Sequence, residues 1–243
     1  MRYHTLDNLR ALNLISMIAY HFSWDMVYLF GADWQWYRSE AAYIWQQSIC
    51  WIFILLSGFC WSMGHRKWRR GLEVFGGGLC ITAVTLLFMP DERVLFGVLT
   101  CLGSCMLLMI PAEKLLKKVP AGVGLLAAFG LFLVFRNVNE GYLGFERMYI
   151  CRLPQEWYRT LGTAYLGFPA AGFYSTDYFS LLPWIFLFAA GYFLYRIGNE
   201  SGKISRLQGK RVLWMEWLGR HSLLIYMLHQ PVMYLVLMIC FAI

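Results

Sequence analysis

The chain has 243 residues, 59% hydrophobic and only 14% charged, against roughly a quarter charged in a soluble domain. That balance excludes a water-soluble globular fold, and 18% aromatic residues, with 11 Trp and 15 Tyr, suit the two interfaces of a bilayer. The formal charge of +7 follows from Lys and Arg clustered in cytoplasmic loops and calls for no nucleic acid.

A spanning helix needs about 20 mostly apolar residues. The sequence predicts an all-α, polytopic membrane helix bundle of about seven transmembrane helices, forming a single domain over 1–243. The first span is 9–30. Met1 to Arg10 is polar and leads into a continuing membrane segment, so no cleavable signal peptide is expected. Within "LDNLRALNLISMIAYHFSWD" lie Asp7, Arg10, His21 and Asp25. Ionisable residues are costly in hydrocarbon and mark function there. At ~100° per residue, Arg10 and His21 fall within about 20° of each other, and Asp7 and Asp25 within about 60° of Arg10. All four share one face, flanked by Asn13 and Tyr20, and that face must turn into the bundle. The rise of ~1.5 Å per residue sets His21 roughly 16 Å deeper than Arg10. Asp25, one turn further, is expected to bond the His21 imidazole and fix its tautomer as a base–orienter pair. A purely structural polar cluster is the alternative.

The second span, 41–63, carries Ser57-Gly58, a pair that allows close helix packing. Spans at 72–89, 94–111 and 121–136 follow. Gly97, Thr100, Gly103 and Ser104 in the fourth read as packing or as a narrow polar path. Residues 137–178 are poor in charge and rich in aromatics, unlike a disordered segment. They predict an ordered cap over the outer mouth of the bundle. Asp177, just before the span 179–197, reads as a helix cap or as an active-site carboxylate facing His21. "RVLWMEWLGR" (211–220) alternates Trp and charge and reads as an interfacial run into the last span, 221–242. That span begins with Arg220 and His221 and carries His229-Gln230-Pro231 at a depth comparable with His21. The two histidines could converge on one site, or His229 and Gln230 could satisfy the carbonyl that Pro231 frees.

With the N-terminus in the cytoplasm, that side holds 15 of the 21 Lys and Arg, in "RKWRR", "EKLLKK", 196–211 and around both helix starts. The positive-inside rule thus predicts a cytoplasmic N-terminus and an external C-terminus. Six of the seven cysteines lie in apolar segments, and no C-x-x-C or Cys/His cluster occurs. No disulfide framework, metal or haem is expected.

Arg10 and His21 are separated by ten residues, a spacing that resembles the R-x10-H motif of the acyltransferase-3 family. The wider pattern resembles more closely the bacterial proteins with a heparan-alpha-glucosaminide N-acetyltransferase catalytic domain. "LDNLRALNLISMIAYHFSWD", "FILLSGFCWS", "VLFGVLTCLG", "LGFPAAGFYSTDYFSLLPW" and "LGRHSLLIYMLHQP" are similar to blocks of that group, in order, across most of the chain. "LRAL" stands where many relatives read "LRGL", and no counterpart of the lysosomal enzyme's large lumenal domain is expected. Heparan sulfate is not implied as the acceptor.

The resemblance implies transfer of an acetyl (acyl) group from cytoplasmic acetyl-CoA across the inner membrane to an extracytoplasmic glycan or other hydroxyl or amine. Arg10, with Arg69, Arg70 or Arg220, and His221 beside it, would hold the CoA phosphates. His21 would serve as general base or acyl carrier, with Asp25, His229 and Asp177 as further catalytic candidates. Expected partners are acetyl-CoA, the acceptor and membrane lipid, without nucleic acid; a homodimer is left open. The competing function is a small-molecule transporter or flippase using the same intramembrane polar cluster. Against it stands the lack of a convincing internal repeat.

Overall fold

The computed structural model describes residues 3–241. Among them, six helices are long and apolar enough to cross a membrane. They are α2 (Glu40–Trp61), α3 (Lys67–Phe88), α4 (Val98–Leu116), the segment Ala121–Glu140 that opens with α5 (Ala121–Val134), α7 (Leu181–Glu200) and α9 (Ser222–Cys240). The sequence predicted seven. The difference is α1 (His4–Tyr28), whose 25 residues are long enough but whose polar stripe leaves it short of the same apolarity. The protein is a polytopic helical membrane bundle.

The chain forms two compact units, one from the segments up to Phe53 and from Gly202 onward, the other from Ile54–Ser201. In the first, α1 meets α8 (Leu213–Arg220) and α9. The predicted interfacial run is α8, with Leu213, Trp214 and Trp217 exposed and Glu216 and Gly219 buried. Gly219 is needed here, since a Cβ would press on the backbone of Asp7. Asn8 Nδ2 donates to Lys210 O at 3.2 Å. The start of α2 joins α1 through Asn13 Nδ2 to Ile49 O at 3.1 Å and Trp45 Nε1 to Ser16 Oγ at 2.8 Å. Val27, Tyr37 and Ala42 close that end, packed with Tyr20, Trp24 and Trp34.

In the second unit, small residues set the helix spacing. Gly71 and Gly78 of α3 lie against Leu107 and Thr100 of α4, and Gly103 of α4 lies against Phe75 of α3. The descending partners make this pair antiparallel. Gly58 of α2 abuts the backbone of Phe188, and Gly191 of α7 abuts Leu55 and Phe59. Gly58 therefore serves packing. One end of the unit gathers cations. Lys67 Nζ reaches Glu113 at 2.9 Å and stacks over Trp61, and Arg196 donates to the last carbonyls around α4, Leu116 O at 2.9 Å and Val119 O at 2.8 Å. A guanidinium suits a helix C-terminus, where carbonyls lack intrahelical donors.

The aromatic-rich segment 137–178 is ordered. It holds a hairpin of β1 (Tyr142–Phe145) and β2 (Met148–Arg152), then α6 (Leu161–Leu166) with a Thr160/Thr163 capping box. Gly144, at φ +152°, leaves no room for a Cβ against Met148 O. Tyrosine hydroxyls pin the segment: Tyr158 to Val138 O at 2.6 Å, Tyr165 to Ser104 Oγ at 2.6 Å, and Tyr178 to Ala164 O. Burial pushes the Tyr165 and Tyr178 phenols up, so both remain neutral donors near pH 7.

Candidate functional site

Helix α1 exposes apolar side chains on one side and on the other buries polar ones among Leu6, Ala11, Leu14, Met17 and Val27. Leu9, Leu12, Ile15 and Phe22 are exposed, whereas Asn13 is buried and Asp25 is 0% exposed. This inversion suits a helix with lipid on one side and protein on the other. The polar face meets α9. The His21 and His229 rings stand 5.0 Å apart, centroid to centroid, in an edge arrangement. The two histidines singled out in the sequence thus lie side by side.

His229 Nδ1 lies 2.5 Å from the Tyr226 carbonyl oxygen. A carbonyl only accepts, so Nδ1 carries the proton and the Nε2 of a neutral ring keeps its lone pair. Gln230 Nε2 donates to Asp25 Oδ1 at 2.5 Å. This corrects the expected base–orienter pair: Asp25 is bonded to Gln230 of α9 rather than to His21. The short carboxylate, buried against α9, meets an amide there. Of the pair considered for the proline kink, His229 bonds a carbonyl of its own helix and Gln230 bonds α1. His229 Nε2, Asp25 Oδ2 and Gln230 Oε1 are buried with no hydrogen-bond partner among the described residues. Buried polar atoms are normally paired, so three acceptors left open in one cluster suit a ligand or water that donates hydrogen bonds.

At the other end of α1, Arg10 lies 3.7 Å from Asp7, one turn earlier. Arg220 is committed to Glu216, which also takes Arg211 Nε at 2.7 Å and has His4 Nδ1 at 3.8 Å. His221 Nδ1 lies 2.9 Å from Trp217 O, with its ring on the indole. Arg69 pairs with Glu73 at 2.8 Å on the exposed side of α3, and Arg70 is exposed on the same helix. These two arginines belong to the second unit, Arg10 and Arg220 to the first.

Asp177 also lies in the second unit. Its carboxylate accepts the Val98 N–H at 3.2 Å, at the start of α4. The cap reading holds in kind but falls on a different helix from the one that follows in sequence, whose N-cap is Ser180. Among the described residues, no group of three or more His, Cys, Asp or Glu is placed to hold a metal ion.

The sequence placed Gln230 beside His229 but did not reveal Asp25 as its partner. The signal was present: an amide inside a span beside a histidine needs a partner. Its partner lies 205 residues away, beyond the reach of local pattern.

Among the described residues, six helices long and apolar enough to cross a membrane define a multi-pass helical membrane protein, and the His21 and His229 rings lie side by side within its first unit. The chain belongs to the family described as heparan-alpha-glucosaminide N-acetyltransferase, catalytic, whose family model matches residues 2–231. It is a membrane acetyltransferase of that family. No curated protein and no solved structure matches it significantly.

Proposed function

We propose that the protein takes an acetyl group from cytoplasmic acetyl-CoA and passes it, at the His21–His229 pair, to a hydroxyl or amine of an extracytoplasmic glycan or related acceptor. The protein would sit in the inner membrane with its N-terminus in the cytoplasm. The observation that carries this reading is the 5.0 Å approach of two imidazoles inside the bundle, beside three buried acceptor atoms without partners. Family membership supplies the reaction class.

Acetyl-CoA is strongly anionic at its nucleotide end. Arg10 is the favoured phosphate ligand, because its contact with Asp7 at 3.7 Å is loose, while Arg220 is held tightly by Glu216. Arg69 and Arg70 are exposed cations on α3 and would add long-range attraction for the donor. His21 lies about 16 Å along the helix axis from Arg10, a separation that a pantetheine arm can bridge. At the thioester, the acceptor oxygen or nitrogen attacks the acetyl carbonyl carbon and gives its proton to an imidazole nitrogen. The C–S bond breaks, and the CoA thiolate leaves and takes up a proton. In a two-step variant, His21 attacks first and carries the acetyl group to the acceptor.

The test uses purified full-length protein with acetyl-CoA, following release of the free CoA thiol. His21→Ala is expected to lower the rate by about 10²–10⁴-fold, the usual worth of general-base help, while folded protein still binds CoA. Labelled acetyl trapped on wild-type protein but not on His21→Ala would select the two-step route. Wild-type rates in both His21→Ala and His229→Ala would overturn the reading. Loss confined to His229→Ala would move the base to α9.

A further inference from the structure

Gln230 lies in this polar cluster, yet acetyl transfer as described gives it no role. We propose that Gln230 is a positioning residue: its amide grips the Asp25 carboxylate and so holds α9 against α1 with the His229 ring facing His21. The inference rests on the reading of the histidine pair as the reacting centre.

Two constraints fix His229. The first acts on the ring, whose Nδ1 is tied to the Tyr226 carbonyl at 2.5 Å. The second acts on the helix. Gln230 is the next residue, and its bond to Asp25 at 2.5 Å joins α9 to α1 at this level. Neighbouring helical residues differ in azimuth by ~100°, so pinning Gln230 sets the direction in which His229 projects. Such a tie matters here because Pro231 follows inside α9. A helical proline removes an intrahelical hydrogen bond and favours bending at that point. Asp25 is 0% exposed, and no bulk water competes for its bond, which favours persistence. The unpaired oxygens on either side, Asp25 Oδ2 and Gln230 Oε1, leave the pair able to accept from a third group without breaking.

A residue that only glues helices would change stability and leave the catalytic parameters of the surviving folded protein intact. A positioning residue changes kcat. The experiment compares wild type, Gln230→Met, Gln230→Glu and the exchange Asp25→Asn with Gln230→Glu, as full-length purified protein, by CoA release and by ¹⁵N-histidine NMR. Gln230→Met is expected to lower kcat by about 10–100-fold, the scale of a small misplacement of a reacting group, with KM for acetyl-CoA within about twofold of wild type. Gln230→Glu sets two carboxylates face to face and should lose as much. The exchange restores an amide–carboxylate bond with its ends reversed and should recover kcat to within about threefold, consistent with two residues acting as one unit. Wild-type kcat in Gln230→Met, or no recovery in the exchange, overturns the proposal. If wild type releases no CoA, the acetyl-transfer reading fails by itself. NMR then decides the positioning: Gln230→Met must shift the His21 and His229 ring-nitrogen signals, and unchanged signals overturn it.

Discussion

At the scale of single residues, Arg10, Arg220 and Glu216 show how carboxylates sort the cations. Arg220 faces a buried glutamate that Arg211 also binds. Arg10 faces Asp7 across 3.7 Å, and it is free to trade a weak contact for a phosphate. Arg10→Ala should therefore weaken acetyl-CoA binding by about 10–100-fold, in line with ~1.5–3 kcal/mol for a hydrogen bond to a charged group. Arg10→Lys should recover only part, because a point charge replaces a planar two-pronged donor. Isothermal calorimetry on purified protein reads both, and unchanged affinity in Arg10→Ala would remove it from the donor site. Glu216→Gln, by contrast, should loosen Arg211 and Arg220 together. One neutral amide cannot hold two guanidiniums as firmly as a carboxylate, so thermal stability should fall.

At the scale of elements, the second unit is built on glycine contacts. A Cβ at Gly58 would run into the Phe188 backbone, and one at Gly191 into the backbone of Leu55 and Phe59. Backbone atoms within packed helices cannot swing aside as a side-chain tip can. Gly58→Ala and Gly191→Ala should each cost about 1–3 kcal/mol, the usual range for overpacking. A thermal-melt comparison in detergent would show this as a lower midpoint, and unchanged midpoints would mean that α2 and α7 shift at little cost. The start of α4 gives a second check. Asp177 satisfies the Val98 N–H, one of the donors a helix start leaves without an intrahelical partner. Asp177→Ala should cost roughly 0.5–2 kcal/mol, as for a lost cap.

At the scale of the whole molecule, the open quantity is the number of crossings. Among the described residues, six helices qualify by length and apolarity. Helix α1, with 25 residues at ~1.5 Å each, also exceeds the ~30 Å of a hydrocarbon core. Its Asp25 is buried, and its exposed face carries Leu9, Leu12, Ile15 and Phe22. We expect it to cross as well, giving seven spans and placing the two chain ends on opposite sides. A reporter fused after Ile243 should then signal outside while one ahead of the chain signals inside. Signals from the same side would leave α1 out of the bilayer count. The Lys and Arg bias, 15 against six, leads us to expect the inside signal from the N-terminal reporter.

Much of this protein was legible from residue order because a bilayer imposes a simple rule on it. Every backbone polar group in hydrocarbon must be satisfied within the segment, so apolar runs become helices of nearly fixed length. The expected segments 41–63 and 221–242 thus became Glu40–Trp61 and Ser222–Cys240. Helical periodicity likewise put Arg10, His21 and Asp25 on one face of α1. Packing reasons for Gly58 were visible because small residues in a span have few other uses. Partners were not visible, since periodicity fixes a direction around one helix but not what stands opposite. Asp25 looked like the companion of His21, one turn away on its own helix. The fold instead brings Gln230 to it across 205 residues. Asp177 looked like the cap of the helix that follows it and caps α4 instead. In both cases a short carboxylate bonds the nearest unsatisfied donor in space, and only the tertiary structure decides which donor that is.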